Sequence, residues 1–276
     1  MHRVLVTGGA GFIGSAVVRH LIRSTPAEIL TVDKMAYVSS LTSLEECRLD
    51  SRHQLLELDL ANRTAVATAV RDFQPSAVMH LAAQSHVDYS IRNPGEFVES
   101  NILGTFNLLE ACRSYWEGLG AAQGDNFRFL HVSTDEVFGD LAADGEPFSE
   151  HTAYQPSSPY SASKPAADHL VRARPRTYNF PALVTNCSNN YGPYQYPEKL
   201  IPVVVDCELK EQPLPIYGDG QQRRDWLHVD DHVSALMRVM SAGTIGSTYN
   251  IGGLSERANL DVVKIICGAL DKLVPR

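Results

Sequence analysis

The chain has 276 residues, room for one large domain with a smaller lobe beside it. Apolar residues make up 44% and charged residues 20%, a balance that belongs to folded globular proteins and excludes a disordered chain. A formal net charge of -8 without any Lys/Arg-rich run argues against nucleic acid as a partner, and it requires an anionic ligand to be held by a few local cations.

The cysteines Cys47, Cys112, Cys187, Cys207 and Cys267 are scattered and form no CxxC pair, so reduced thiols in a cytoplasmic protein are expected, and no metal site. Met1-His2-Arg3 runs straight into a strand pattern, so no signal peptide is expected. No apolar stretch approaches the roughly 20 residues of a membrane span, so no membrane partner is expected.

Val4-Leu5-Val6 is the first buried-strand pattern, followed by a glycine-rich turn and an apolar-periodic helix over Ala16–Ile22. Ile29–Val32, Leu55–Leu58, Ala77–Leu81 and Phe127–Val132 repeat the strand signal. Helices are predicted over Arg63–Phe73 and Gly104–Arg113. Alternation at this spacing argues for an α/β fold with a Rossmann-type, doubly wound parallel sheet. From Cys187 onward Asn, Gly, Pro and Tyr become frequent, as in Asn189–Tyr194 and Gln212–Pro215, which is loop chemistry. The expected organisation is a dinucleotide-binding domain over 1–186, to which 223–245 with its helix at Asp230–Met240 returns. A partial substrate lobe is expected over 187–276.

Gly8-Gly9-Ala10-Gly11-Phe12-Ile13-Gly14 follows the first strand directly and opens a helix. Bare backbone there can approach a pyrophosphate at a helix N-terminus, where free N–H groups point outward. Asp33 ends the second strand about 20 residues on, as a carboxylate for the adenosine ribose should. It would repel a 2'-phosphate, so NAD is expected rather than NADP, with Lys34 beside it slightly weakening that preference. Asp59-Leu60 and Leu81-Ala82-Ala83 stand at later strand ends, where an open sheet binds its cofactor.

Tyr160 and Lys164 share one helix face if the segment is helical. The ammonium is expected to lower the phenol's pKa and let it take a hydroxyl proton as hydride leaves the carbon. Oxidation alone needs no acidic pair. Asp135-Glu136 behind Thr134 therefore implies a second step, with one carboxyl as acid and its neighbour as base. Consecutive strand side chains point to opposite faces, so the pair is expected on a bend at the strand's end. Two close carboxyls can share one proton, so in the working state one would be protonated and its neighbour ionised.

Beyond these motifs the sequence carries His80–Asp88, Ser133–Gly139, Ser158–Lys164, Asn186–Tyr194, Pro197–Pro202, Arg224–Leu227 and Asn259–Val263. In these runs it resembles the extended short-chain dehydrogenase/reductases, and within them the nucleotide-sugar 4,6-dehydratases. The resemblance implies that Tyr160 takes the C4 hydroxyl proton, Lys164 holds the nicotinamide ribose and Thr134 bonds the C4 oxygen. Glu136 would remove the C5 proton and Asp135 protonate the departing C6 hydroxyl, with hydride returned to C6. It adds Ser100 and Asn190 to the cofactor contacts. It implies that Ser85, Asn189, Lys199, Leu200, Pro215, Tyr217, Arg224 and Asn259 hold the nucleotide sugar, and that the protein is a homodimer packed through the Asn101–Arg113 and Tyr160–Arg176 helices. The Thr-Asp-Glu and Glu-Lys-Leu-Ile-Pro runs favour dTDP-glucose as substrate over GDP-mannose. An epimerase would keep Tyr160 and Lys164 without needing Asp135-Glu136. An NAD-binding homologue with impaired chemistry is the other alternative.

Three features depart from the family pattern. Pro165 stands where a small residue follows the lysine. It cannot donate to the Ser161 carbonyl, and at the usual interior cost of about 3 kcal/mol a kink there would tilt Lys164 away from Tyr160. Pro175 adds a second interruption, and both prolines are expected in the dimer interface. Ala36-Tyr37-Val38-Ser39-Ser40 replaces a Thr-Tyr-Ala-Gly-Asn loop, and Tyr89 replaces an Arg. The chain also stops at Arg276, earlier than the family pattern, so a C-terminally shortened substrate lobe with weak or absent turnover is expected.

Overall fold

The computed structural model describes residues 1–141, 145–216 and 218–274. Its backbone forms two compact units, Met1–Cys187 with Val233–Asn250, and Ser188–His232 with Ile251–Arg276.

The elements of the first unit run β1 (Arg3–Thr7), α1 (Phe12–Ser24), β2 (Glu28–Asp33), β3 (His53–Glu57), α2 (Arg63–Phe73), β4 (Ala77–His80), α3 (Val87–Arg92), α4 (Pro94–Phe97), α5 (Gly104–Glu117), α6 (Ala121–Asn126), β5 (Arg128–Thr134), α7 (Pro159–Tyr178) and β6 (Ala182–Cys187). The second unit contributes β7 (Asn189–Tyr191), α8 (Leu200–Leu209) and β8 (Arg223–His228), and α9 (Val229–Ala242) and β9 (Thr248–Ile251) lead across the division. Strand β10 (Glu256–Ala258) and helix α10 (Asn259–Leu273) complete the second unit.

The large sheet has the order β3-β2-β1-β4-β5-β6-β9, and its pairings from β3 to β6 are parallel. Strands β1, β4, β5 and β6 are buried along almost every residue, which is why they read as continuous apolar runs without alternation. Leu5, Val78, Phe129 and Val184 of the strands pack with Leu108, Leu109 and Val171 of the flanking helices and with Phe127 and Phe180. The register pairs Thr7 with His80, His80 with His131, and Thr134 with Cys187. The carboxyl ends of the strands thus line up along one edge, where open α/β sheets bind ligands.

Several sequence expectations are adjusted. The third strand begins at His53 and ends at Glu57, because His53 pairs with Ile29 and Glu57 with Asp33. Residues 223–232 do not return with 233–245. Arg223–His228 is the middle strand of a small sheet, β10-β8-β7, so the returning segment is Val233–Asn250. The loop-rich texture after Cys187 concealed helices α8 and α10. Helix α8 carries Val203-Val204-Val205 and Pro202 in its first two turns, a composition without a helical signal.

Helix α7 runs through both Pro165 and Pro175. Its N-terminus is held by a reciprocal capping box: Ser161 N donates to Ser158 Oγ at 3.0 Å, and Ser158 N donates to Ser161 Oγ at 2.8 Å. Ser157 N adds a third bond to Ser161 Oγ at 3.1 Å. These bonds offset the donor missing at Pro165, and the helix continues through it to Tyr178. Pro165 is buried within the chain, whereas Pro175 is half-buried.

Candidate active site

The turn after β1 is built by missing side chains. Gly8 has φ +69°, and a Cβ there would lie 2.7 Å from the Ala82 backbone; at Gly14 it would lie 2.1 Å from the Gly8 carbonyl oxygen. Gly11 is the N-cap of α1 and supplies no side-chain cap, which leaves the first helical N–H groups to a ligand. Phe12 and Ile13 are the first helical residues, half-buried at this end.

The Asp33 carboxylate is buried and accepts from Ala10 N at 3.0 Å, Met35 N at 2.9 Å and Ser39 Oγ at 2.8 Å. A carboxylate has about four acceptor sites, so one remains for a ribose hydroxyl. Ser39 belongs to the loop that departs from the family pattern, and here it holds Asp33 in place. Lys34 Nζ donates to Ser100 Oγ at 2.7 Å, joining two of the expected cofactor residues. Asp59 is exposed and accepts from Ala61 N at 2.9 Å, while Leu60 is buried. Leu81, Ala82 and Ala83 follow β4, with Leu81 N bonded to Thr7 O at 3.1 Å and Ala82 N to Thr7 Oγ1 at 3.3 Å. Ser85 is exposed at the end of that loop. His86 caps α3 by accepting from Tyr89 N at 3.1 Å. Tyr89, in place of the family's Arg, donates its hydroxyl to Glu96 at 2.6 Å.

Thr134 is the last residue of β5, and Asp135–Phe138 form a 3-10 turn directly after it. The bend that two converging carboxyls require is therefore present. Thr134 Oγ1 accepts from Glu136 N at 3.2 Å, and Asn186 Nδ2 pins the Thr134 carbonyl at 3.0 Å. Asp135 is half-buried and Glu136 exposed. Tyr160 is 7% exposed and stacks edge-on against Phe97 at 6.3 Å. Burial raises its phenol well above the usual range, the negative charge of Glu136 adds to that, and a hydrogen bond with Thr134 works the other way. Lys164 Nζ donates to the Val132 carbonyl at 3.0 Å, and burial draws the ammonium's own pKa down against the pull of Asp168. The dry pocket and the nearby acid set the direction of the phenol's shift here.

Behind this pair lies a buried polar group that motif reading missed. Asn101 lies in a π-helical segment, Val98–Leu103, a form often met at functional sites. It clamps the Gln84 backbone by two bonds, 2.7 and 2.9 Å, and donates to Ser163 Oγ at 2.8 Å, which donates to the Tyr160 carbonyl at 2.7 Å. Asp168 accepts from His131, Ser133 and Tyr154. Its signal was available: Asp168 stands four residues after Lys164 on a helix, so the two share a face.

In the second unit, Asn190 is committed within the protein. Its Oδ1 meets His232 Nδ1 at 2.8 Å and its Nδ2 donates to Ser188 O at 2.9 Å. Asn189 is half-buried beside it. Lys199 is exposed at the N-cap of α8, immediately before Leu200. Arg224 is exposed on β8, opposite Arg257 of β10, with one N–H on the Arg223 carbonyl at 2.9 Å. Asn259 opens α10, and its N–H donates to Gln222 O at 3.0 Å. Pro215 is exposed, and Tyr217 lies outside the described residues. Asp225 is structural, accepting from Gly253 N and Ser255 N, both at 2.6 Å. Among the described residues no group of acidic, His or Cys side chains could hold a metal, and no helix is long and apolar enough to cross a membrane.

Residues 5–274 match the family model described as GDP-mannose 4,6 dehydratase. The chain is 55% identical to a dTDP-glucose 4,6-dehydratase of Neisseria meningitidis over 275 residues, covering 100% of this chain and 78% of that relative. Among solved structures it superposes on the dTDP-glucose 4,6-dehydratase of Bacillus anthracis in complex with NAD, with TM-score 0.88, 39% identity, and 98% of this chain and 81% of that one covered. The Streptomyces venezuelae dTDP-glucose 4,6-dehydratase with NAD bound gives the same values, TM-score 0.88 and 39% identity over 98% of this chain and 81% of that one.

Proposed function

Since the chain belongs to the nucleotide-sugar 4,6-dehydratases of the extended short-chain dehydrogenase/reductases, we infer that it is an NAD-dependent hydro-lyase converting dTDP-glucose to dTDP-4-keto-6-deoxyglucose. The observation that carries this reading is the Thr134-Asp135-Glu136 turn at the end of β5, with Thr134 hydrogen-bonded to Tyr160. An epimerase needs the tyrosine but has no use for the two carboxyls.

The bare cradle at Gly8, Gly11 and Gly14 and the one remaining acceptor site on Asp33 fit a dinucleotide. Bound NAD supplies the hydride acceptor for C4 and the donor for C6. The first N–H groups of α1 receive its pyrophosphate, and Asp33 its adenosine ribose. Lys34, Ser100, Asp59, Leu60, Leu81, Ala82, Ala83 and Asn190 complete the cofactor contacts. Tyr160 takes the C4 hydroxyl proton, with Thr134 bonding that oxygen and Lys164 holding the nicotinamide ribose. The positive charge of an oxidised nicotinamide opposes the burial that holds the phenol high. Glu136, exposed and close to the phenol, removes the proton from C5. Asp135 gives its proton to the departing C6 hydroxyl. Lys199 and Arg224 provide the cations for the diphosphate in an otherwise acidic protein, supported by Ser85, Asn189, Leu200, Pro215 and Asn259.

The homodimer follows by family analogy. Ala162 and Ala173 on the exposed side of α7 allow a second helix close approach, and light scattering at one protomer's mass would overturn this part.

The deciding experiment is incubation of the protein with dTDP-glucose and NAD, with the product followed by mass. Loss of one water from dTDP-glucose, and none from GDP-mannose or UDP-glucose run in parallel, is the expected result. No loss of water with NAD bound would overturn it in favour of an NAD-binding protein without this chemistry.

A further inference from the structure

Lys164 is 4% exposed, and a buried ammonium without an opposing charge gives up its proton. The charged and titratable groups facing it can be enumerated. From α7 comes Asp168, with Tyr160 one turn back on the same helix, from β5 His131, from β4 His80 and from β6 Cys187. Both imidazoles are fully buried and pushed below the usual range, burial being the largest cause, so neither competes as a cation. His131 Nε2 donates to Asp168 Oδ1 at 3.0 Å while its Nδ1 has no partner, as in a neutral ring carrying its proton on Nε2. Asp168 is the one carboxylate facing the lysine from these elements, one helical turn further along α7.

That carboxylate is unusually fixed. It is fully buried, and besides His131 it accepts from Ser133 Oγ at 2.9 Å and Tyr154 OH at 2.9 Å. Burial alone would raise its pKa. The His131 bond, the charge of Lys164 and the Ser133 bond outweigh this and hold it below the usual carboxylate range. The Tyr154 ring carries the Arg172 guanidinium 4.7 Å from its centre, closing the far side.

We propose that Asp168 is a positioning residue for the reaction, a carboxylate fixed by His131, Ser133 and Tyr154 that keeps Lys164 an ammonium for Tyr160 and the cofactor. Asp168 is fully buried, so it acts through its neighbours. It acts by supplying the opposite charge that a dry lysine needs. The catalytic part of this statement rests on the dehydratase reading, whereas the charge on Lys164 can be measured without turnover.

The test is a lysine side-chain NMR titration of the full chain with 13C-labelled lysine, Lys164 being assigned by Lys164→Arg. In Asp168→Asn the midpoint at which Lys164 loses its proton should fall by ~1 unit or more, since a nearby opposite charge shifts a pKa by about 1–3 units. Asp168→Glu should restore it. The alkaline limb of kcat/KM for dTDP-glucose should move down with the midpoint in Asp168→Asn and return in Asp168→Glu. A merely structural residue would lower the rate without moving that limb. An unchanged Lys164 midpoint in Asp168→Asn, or the same fall in Asp168→Glu, would overturn the proposal. If Asp168→Asn does not fold, the unaltered protein decides. Its Asp168 carboxyl carbon must keep the carboxylate shift through neutral pH, and protonation there would overturn the proposal. Absence of turnover in the unaltered protein would count against the dehydratase reading alone.

Discussion

The hydride- and proton-transfer residues of the first unit and the expected diphosphate cations of the second are held in opposite ways. In the first unit they are tied to the protein itself: Asp33 by three donors, Lys34 by Ser100, Lys164 by Val132 O, and Tyr160 through Ser163 and Asn101. In the second unit Lys199 and Arg224 stand exposed, and among the described residues neither has a carboxylate partner. The difference follows from what each must meet. Hydride and proton transfer tolerate little displacement, so their groups are fixed before substrate arrives. A diphosphate brings its own charge and can order a flexible cation as it binds.

Breaking the fixed half should therefore have the larger effect. Tyr160→Phe removes the proton acceptor and is expected to lower turnover of dTDP-glucose by about 10²–10⁴-fold. NAD binding, followed by calorimetry, should change little. Equal losses in both would remove Tyr160 from the chemistry.

A second contrast concerns pH. Burial pulls His232 in the second unit down to about 4 from its ordinary 6.5. The folded protein therefore holds this ring neutral while the unfolded chain protonates it, so stability is present above pH ~6.5 and is lost as pH falls towards 4, by roughly 3 kcal/mol. Thermal unfolding followed from pH 7 to pH 4 should show a steep fall, and His232→Gln should flatten it. A slope unchanged in the variant would assign the acid sensitivity elsewhere.

Gly14→Ala places a methyl group 2.1 Å from the Gly8 carbonyl oxygen. It should destabilise the first unit by about 1–3 kcal/mol and abolish NAD binding, because the turn must open. Denaturant unfolding and calorimetry check the two halves of this statement.

The exposed cations should show the opposite balance. Arg224→Ala and Lys199→Ala are expected to change stability by less than about 0.5 kcal/mol. Each should raise KM for dTDP-glucose by about 10–100-fold if it supplies a charge-assisted bond to the diphosphate. A rise in KM without a change in stability would sharpen the contrast between the two units, and a loss of stability with unchanged KM would dissolve it.

Local chemistry sufficed for much of this molecule. The alternation of buried runs with periodic helices specified the parallel sheet, because a strand covered on both faces leaves a continuous apolar run. The glycine turn, Asp33, the Thr134–Glu136 bend and the Tyr160/Lys164 face were all legible, since each depends on residues close in sequence. The second unit was not: α8 is rich in β-branched residues, and β7, β8 and β10 are too short to signal without their partners. Only the tertiary structure decided which charges are opposed. How a helix passes through a proline depended on the bonds around Ser161, and the direction of the phenol's shift depended on burial and on Glu136. The grouping of His131, Ser133, Tyr154 and Asp168 behind the lysine joins residues up to 37 apart in the chain, and only packing of α7 on the sheet brings them together. The sequence determined which groups are present and which share a local face. Their charge states depend on solvent exclusion and on neighbours distant in the chain, which only the folded structure supplies.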